Sequence, residues 1–130
     1  MTGALMTDGT GTRRVAEAFS GHRFRETYDR LAPDIVWVAV GASTTVGKEG
    51  VIAVCEETLT QLADTPTEFR RFLAVADEQT AVVDSIGHYT PSTGATSDVA
   101  SCDIYEFRGD LITRITSYAV DLGGSDRDVT

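Results

Sequence analysis

The chain has 130 residues, of which 42% are hydrophobic and 24% are charged, a composition typical of one globular domain with a buried core. Its formal net charge of −9 at pH 7 provides no basic surface for phosphates, so we expect neither a nucleic acid nor an anionic membrane as partner. Since no apolar run approaches the roughly 20 residues of a membrane helix, and the first residues do not resemble a signal peptide, a cytoplasmic protein is expected.

The chain is predicted to form one domain over residues 12–122, with flexible tails at 1–11 and 123–130. Residues 12–32 show apolar side chains at helical spacing, and Gly21 divides this region into two predicted helices. Pro33 is expected to end the second helix, because a residue before proline avoids the helical conformation.

A short β-branched run with Trp37 at its centre predicts a strand over 34–41, buried on both faces. Polar residues 43–45 are expected to form a loop. A third helix is predicted over 47–63, because apolar residues recur there at helical spacing.

The remainder of the chain predicts a β-meander. Strands are expected over 67–76, 80–90, 99–107 and 111–122, with turns at 77–79, 91–94 and 108–110. Helices followed by consecutive hairpin strands indicate an α+β fold whose curved antiparallel sheet wraps the N-terminal helices and leaves an internal pocket.

Alternation along these strands predicts which side chains face that pocket. Pairing of Asp84 opposite Ser101 would bring acidic groups of neighbouring strands together, although a shift of one residue would reverse the faces. The predicted catalytic constellation on the concave face consists of Asp84, His88, Asp103 and Asp121. The residues predicted to line the substrate pocket are Tyr28, Trp37, Ile86, Ser101, Tyr105 and Ser117.

This set of side chains suits acid–base chemistry. Two adjacent carboxylates cannot both ionise cheaply, so one retains a proton, and His88 titrates near neutrality. Each residue also has a purely structural interpretation: a strand aspartate is commonly solvated, and Trp37 is simplest as a core residue. We expect no cofactor and no metal, and we expect Cys55 and Cys102 to be free thiols, with a disulfide as the alternative.

Several segments resemble the nuclear transport factor 2-like superfamily, in its SnoaL-like or ketosteroid-isomerase-like branch. The similar segments are Leu-Ala-Pro-Asp-Ile-Val-Trp at 31–37, Gly-Lys-Glu-Gly-Val at 47–51, Cys-Asp-Ile-Tyr-Glu-Phe at 102–107 and Leu-Ile-Thr-Arg-Ile-Thr-Ser-Tyr at 111–118. The resemblance implies a cone-shaped domain of the cystatin-like type with a deep apolar pocket, and a homodimer through the outer face of the sheet.

The resemblance also implies roles for single residues. Asp103 is similar in position to the protonated oxyanion-hole aspartate of ketosteroid isomerases, and Asp121 to the acid/base aspartate of SnoaL-type polyketide cyclases. The positions of the isomerase's base and its first-helix tyrosine are occupied by Ala39 and Val15, which argues against steroid isomerisation by that mechanism.

The leading hypothesis is therefore a cofactor-free acid–base enzyme acting on a small hydrophobic molecule, by cyclisation, isomerisation, dehydration or hydrolysis. In it Asp121 acts as acid/base, Asp103 as neutral hydrogen-bond donor, and His88 or Asp84 as proton partner. The alternatives are a non-catalytic ligand-binding or dimerisation module with the same pocket, and a protein–protein adaptor built on the exposed sheet face.

Overall fold

The structure, a computed structural model, describes residues 9–123. The helical elements of this region are α1 (Thr10–Ser20), a 3-10 helix (Phe24–Arg30) and α2 (Lys48–Leu62). The strands are β1 (Leu31–Ala39), β2 (Ser43–Val46), β3 (Thr67–Ala76), β4 (Thr80–Tyr89), β5 (Ser97–Arg108) and β6 (Leu111–Gly123). The predicted α+β class is confirmed.

The six strands form one curved, open sheet in the order β2-β1-β6-β5-β4-β3. All these pairings are antiparallel except that of β1 with β6, which is parallel, so the prediction of a purely antiparallel sheet was wrong at this point. The reason is topological: β1 precedes the meander in the chain and pairs with β6, the last strand of the meander, with Trp37 opposite Ile115.

Strand β2 replaces the loop that was predicted at 43–45. Its Ser-Thr-Thr-Val sequence pairs with β1 at the edge of the sheet after a turn in which Gly41 has a φ of +80°. Threonine and valine favour extended backbone, and a short edge strand can carry exposed polar side chains. The polar composition was therefore a poor guide to the backbone conformation.

The helix predicted over 12–32 ends earlier than expected. Its second half is a 3-10 helix that ends at Arg30, because Leu31 already pairs with Ile112 in the sheet. Strand β1 is buried at Leu31 and Ile35, but Val36 and Val38 on its other face are only half-buried. The prediction of a strand buried on both faces was therefore wrong.

The core lies between the helices and one face of the sheet, which we call the inner face. Phe19 of α1 and Val51 of α2 pack there against Val83, Tyr105 and Ile115 of the strands. The opposite face, which we call the outer face, keeps Leu73, Val75, Tyr118 and Val120 between 48% and 59% exposed.

Both ends of the described region belong to the domain. Helix α1 begins inside the predicted N-terminal tail, and Thr12 donates a hydrogen bond to the Asp77 carbonyl at 2.6 Å. Residues 1–8 and 124–130, where the rest of the predicted tails falls, lie outside the described residues. Between residues 9 and 123, no helix has the length and hydropathy needed to cross a membrane.

Candidate functional site

A cavity of about 210 Å³ lies between the C-terminal end of α1 and the inner faces of β4 and β5. Aromatic and imidazole rings form much of its wall: Phe19, His22, Phe24, Trp37, Phe69 and Tyr89. The polar groups in its lining are Ser20, Thr58, Ser85, Ser101 and Asp103. An apolar wall with a few convergent polar groups is the usual composition of a small-molecule site.

Asp103 provides the carboxyl group of the cavity. Strand β5 places it opposite Ser117 of β6 and Val83 of β4. Ser20 of α1 donates a hydrogen bond to Asp103 Oδ2 at 2.7 Å. Burial raises the pKa of Asp103 above its ordinary value, and hydrogen bonding from Ser117 and Ser20 opposes this rise. The carboxyl group therefore retains its proton to higher pH than an ordinary aspartate.

Ser20 connects this carboxyl to the core. Its hydroxyl lies 2.5 Å from the hydroxyl of Tyr105, whose side chain is fully buried two positions further along β5. Burial raises the pKa of Tyr105, so its hydroxyl stays protonated and can donate to Ser20 while Ser20 donates to Asp103. The hydroxyl groups of Tyr105 and Ser20 together hold the Asp103 side chain in position.

Ser117 of β6 lies beside the same carboxyl, and Trp37 is hydrogen-bonded to Ser117. The indole N–H of Trp37 donates to Ser117 Oγ at 3.0 Å, although the two residues are 80 positions apart. This bond satisfies the polar atom of a ring that otherwise packs against Phe19 at a centroid distance of 5.1 Å.

His22 lies at the end of α1 in a backbone conformation that is unusual for its type. Its φ of +68° is the only positive value among non-glycine residues of the described chain. The N–H groups of His22 and Arg23 close the helix by bonding to the carbonyl groups of Phe19 and Ala18, at 3.1 and 2.8 Å. Glycine is the ordinary residue at such a helix end, because left-handed backbone costs other residues about 1–2 kcal/mol.

This conformation places the imidazole among the cavity rings. Its centroid lies 5.5 Å from Phe69, 5.8 Å from Phe24 and 6.2 Å from Tyr89. Burial lowers the pKa of His22, while the Asp103 carboxylate raises it by a smaller amount. His22 is therefore mainly neutral near pH 7 and able to accept a proton.

Tyr89 reaches the cavity because Gly87 leaves room for it. A β-carbon at position 87 would lie 3.1 Å from the Tyr89 hydroxyl and ring. Both residues belong to the inner face of β4, and burial raises the pKa of Tyr89.

The prediction that Asp84, Ile86 and His88 face the pocket was wrong. The hairpin pairs Asp84 with Cys102 and Ser85 with Ser101, one residue away from the predicted register. Because strand side chains alternate, this shift places the predicted set on the outer face and Ser85 and Gly87 on the inner face.

On the outer face the two polar residues have other partners. Asp84 accepts a hydrogen bond from Arg71 at 2.9 Å, and each of the two side chains is about half exposed to solvent. The Nδ1 atom of His88 lies 2.6 Å from Oδ1 of the fully buried Asp98. The second oxygen of Asp98 has no hydrogen-bond partner among residues 9–123, although an Arg70 nitrogen is 3.8 Å away.

Asp121 and Tyr28 are also absent from the cavity lining. Asp121 is opposite Val99, in line with Asp103 and Ser117, but it is exposed and accepts the Gly123 N–H at 2.7 Å. Tyr28 donates to Glu56 of α2 at 2.6 Å, and its pKa is raised by burial and by this bond. The remaining predicted pocket residues are close: Trp37 and Ser101 line the cavity, and Tyr105 and Ser117 support it.

A family model for the SnoaL-like domain matches residues 12–115. The chain belongs to the SnoaL-like family. No curated protein matches its sequence.

Solved structures place this SnoaL-like domain in the nuclear transport factor 2-like fold. An NTF2-like protein of unknown function from Cytophaga hutchinsonii is 27% identical, with a TM-score of 0.76 over 87% of this chain and 99% of the other. An LEH-like epoxide hydrolase of Mycobacterium tuberculosis is 19% identical, with a TM-score of 0.66 over 86% and 84%. A candidate ketosteroid isomerase of Kribbella flavida is 19% identical, with a TM-score of 0.65 over 95% and 87%.

The SnoaL-like domain has a second, larger cavity of about 920 Å³ at its other end. It is bounded by Gly9, the first described residue, and by Val15, Arg30, Phe107 and Asp110. We centre the candidate site on the smaller cavity, because of these two it is the one that combines a half-buried carboxyl with an imidazole. Within residues 9–123 no group of three or more His, Cys, Asp and Glu side chains is arranged to hold a metal, and Cys55 and Cys102 are free.

Sequence reasoning missed two side chains that line this cavity, His22 and Ser20. His22 follows Gly21 at the predicted end of a helix, and a histidine in that position is a signal that could have been followed. Ser20 gave no comparable signal, since a serine near a helix end is common. Together with Asp103, these residues bring a carboxyl group of raised pKa, an imidazole of lowered pKa and a hydroxyl group into one small cavity.

Proposed function

We propose that this SnoaL-like protein binds a small, largely apolar organic molecule in the 210 Å³ cavity and carries out cofactor-free acid–base chemistry on it. The observation that carries the proposal is the half-buried Asp103 carboxyl, which lines a cavity walled by aromatic rings and has a raised pKa. A protonated carboxyl in such surroundings donates a hydrogen bond to an oxygen of the bound molecule and stabilises negative charge that develops there.

The cavity walls favour a ligand with a flat apolar body. Phe19, Trp37 and Phe69 offer ring faces and edges, and the polar groups gather around Asp103 on one side. A molecule with one ring and one oxygen would bury its ring against these aromatic side chains and direct its oxygen to the polar groups around Asp103. Cyclisation, isomerisation, dehydration and hydrolysis all contain a step in which such an oxygen gains charge.

The comparisons support this range of reactions without selecting one. Similar structures carry the names epoxide hydrolase, ketosteroid isomerase and polyketide cyclase, and each is below 20% identity to this chain. At that distance the similarity concerns the fold, and the chemistry has to be argued from the residues of the cavity.

The test follows the indole N–H signal of Trp37, the single tryptophan of the chain, in ¹H–¹⁵N spectra while cyclohexanone is added. We expect a saturable shift that weakens in Asp103→Ala, because the variant lacks the donor for the ketone oxygen. Asp84→Ala is the matched control, since Asp84 lies on the outer face and pairs with Arg71. No shift in the wild-type protein, or equal shifts in both variants, would overturn the proposal.

Binding without any acceleration of a reaction would favour the alternative of a non-catalytic ligand-binding module. That outcome is distinguished by following the same ketone for protein-dependent exchange of its α-protons.

We also propose that a second copy of the chain covers the outer face. Leu73 and Val75 lie on the edge strand β3, Tyr118 and Val120 lie on β6, and each exposes about half of its surface. The strands between them, β4 and β5, add the half-buried Val82, Ile86 and Ile104 to the same face. Contiguous apolar surface of this kind marks an interaction site, and a sheet face contacting its own copy satisfies the requirement for a self-complementary surface.

A further inference from the structure

We propose that His22 is the second proton-transfer group of the cavity and that its left-handed backbone is retained because it directs the imidazole at the bound molecule. The inference rests on the proposed function of the cavity and assigns the proton acceptor that Asp84, His88 and Asp121 do not provide at their observed positions.

The first observation is the backbone. A left-handed conformation is costly for histidine, and helix α1 could end in the same way with glycine at position 22. Strained non-glycine residues of this kind are concentrated at functional sites, where the surrounding structure holds them in place. The stability of the helix end therefore does not explain why this residue is histidine.

The second observation is where the ring lies. The imidazole lines the same cavity as Asp103 and is close enough to that carboxyl for an electrostatic effect on its pKa. Phe24 and Phe69 pack beside it, which keeps water from part of its surface. The acid and the candidate base thus face one shared space.

The charged and titratable groups around His22 can be named for each neighbouring element. Asp103 comes from β5 and Tyr89 from β4, and burial raises the pKa of both groups. Arg23, next in the chain, forms an exposed ion pair with Glu26 at 3.1 Å. From α2 the cavity receives only the uncharged Thr58.

These positions define a balanced proton transfer for a ketone. The neutral imidazole accepts a proton from the carbon next to the carbonyl, and the electrons of that C–H bond form the enolate. The carbonyl oxygen gains the negative charge and accepts a hydrogen bond from the Asp103 carboxyl group. In the reverse step the imidazolium returns a hydron to carbon, so no oxidant, reductant or cofactor is consumed.

The experiment measures exchange of the α-protons of cyclohexanone for deuterium in D₂O by NMR, with the full-length protein. We expect the wild-type protein to accelerate exchange over buffer, and His22→Gly and His22→Asn to lose roughly 100-fold or more of that acceleration while still shifting the Trp37 indole signal. Both replacements tolerate left-handed backbone, so either one keeps the test open if the other folds poorly. Glu57→Gln, on the exposed side of α2, is the control and should match the wild-type rate.

The pH profile separates a proton acceptor from a wall residue. The wild-type rate should rise with pH as His22 loses its proton, and this rise should be absent from the residual rate of His22→Asn, whose amide does not titrate. A purely structural histidine would leave the same rise in both proteins.

The results distinguish the two proposals. Wild-type exchange that persists in both His22 variants would overturn the role of His22 and leave the proposed function standing. If both His22 variants lost ligand binding as well as exchange, His22 would be a residue of the cavity wall, and the inference would also be overturned. Absence of both binding and exchange in the wild-type protein would overturn the proposed function, and this inference with it.

Discussion

Trp37 and Ser117 meet through a 3.0 Å hydrogen bond although they belong to the first and last strands of the sequence order β1 to β6. The serine that accepts this bond lies opposite Asp103 on the neighbouring strand. Ser117 thus lies between the indole of the cavity wall and the half-buried Asp103 carboxyl, and its hydroxyl opposes the rise in the Asp103 pKa.

Replacing this serine should change both of its neighbours. In Ser117→Ala we expect the pKa of Asp103 to rise further, because a hydrogen bond that stabilises the carboxylate is lost. The Trp37 indole signal should move because its acceptor is gone. Carboxyl titration by ¹³C NMR measures the first effect, and Thr113→Ala, whose hydroxyl bonds to the exposed Glu106 carbonyl, is the control. An unchanged Asp103 titration would contradict the assigned hydrogen bond.

Asp103→Asn should make the protein more stable at neutral pH. Since the folded-state pKa of Asp103 is raised above its unfolded value, its contribution to stability is fully present below the unfolded pKa and is lost as the pH rises through the folded pKa. Urea unfolding between pH 3 and pH 8 should show this loss in the wild-type protein and a flatter profile in the variant. If the variant were less stable than wild type at pH 7, the hydrogen bonds to the Asp103 carboxylate would outweigh the cost of burying its charge, which would contradict the prediction.

Ser20 and Tyr105 should behave as a coupled pair. Ser20→Ala leaves the fully buried Tyr105 hydroxyl without its 2.5 Å partner, and we expect a loss of about 1–3 kcal/mol in the free energy of unfolding. In the Tyr105→Phe background the same change should cost clearly less, because no hydroxyl is then left unsatisfied. Urea unfolding of the four proteins measures this coupling, and additive losses would argue against it.

Gly87→Ala should disturb the cavity through Tyr89. The new β-carbon would lie 3.1 Å from the tyrosine ring, so the ring must move, and we expect a loss of about 1–3 kcal/mol in stability. The control is Gly11→Ala in α1, where nothing lies within 4 Å and where a gain of up to about 1 kcal/mol is expected. If Gly87→Ala matched the wild-type protein in stability and in ligand binding, Tyr89 would not depend on this glycine.

The proposed homodimer predicts that a charge on the outer face separates the copies. Tyr118→Glu should shift sedimentation from dimer to monomer at micromolar concentration, because the carboxylate would be buried without a partner. Ala53→Glu, exposed on α2, should leave the dimer intact. A wild-type protein that sediments as a monomer would contradict the proposal directly.

Most of the fold could be predicted from the sequence because local signals agreed with the global arrangement. Apolar spacing and the turn residues located α2 and the four meander strands to within one or two residues at most ends. The parallel β1–β6 pairing could not be predicted in this way, since nothing local to Trp37 specifies a partner that lies 80 residues away.

The candidate site was predicted only in part, and the error has a physical cause. On β5 the large Tyr105 and Phe107 side chains identified the inner face correctly. On β4 the outer face carries the larger aliphatic side chains, such as Ile86, while the inner face carries Ser85 and Gly87. The β4 prediction rested on a pairing of Asp84 with Ser101, and the observed register pairs Ser85 with Ser101, so a difference of one residue exchanged the two faces.

The parallel pairing of β1 with β6 has a consequence for how the protein assembles. The contacts that build the cavity join residues 80 to 85 positions apart: Trp37 to Ser117, Ser20 to Asp103 and Ser20 to Tyr105. Bringing such distant segments together has a high entropic cost, so these contacts form late relative to the hairpins. Since β1 joins β3, β4 and β5 only through β6, a chain that ends before β6 has no strand to hold Trp37 in the cavity wall.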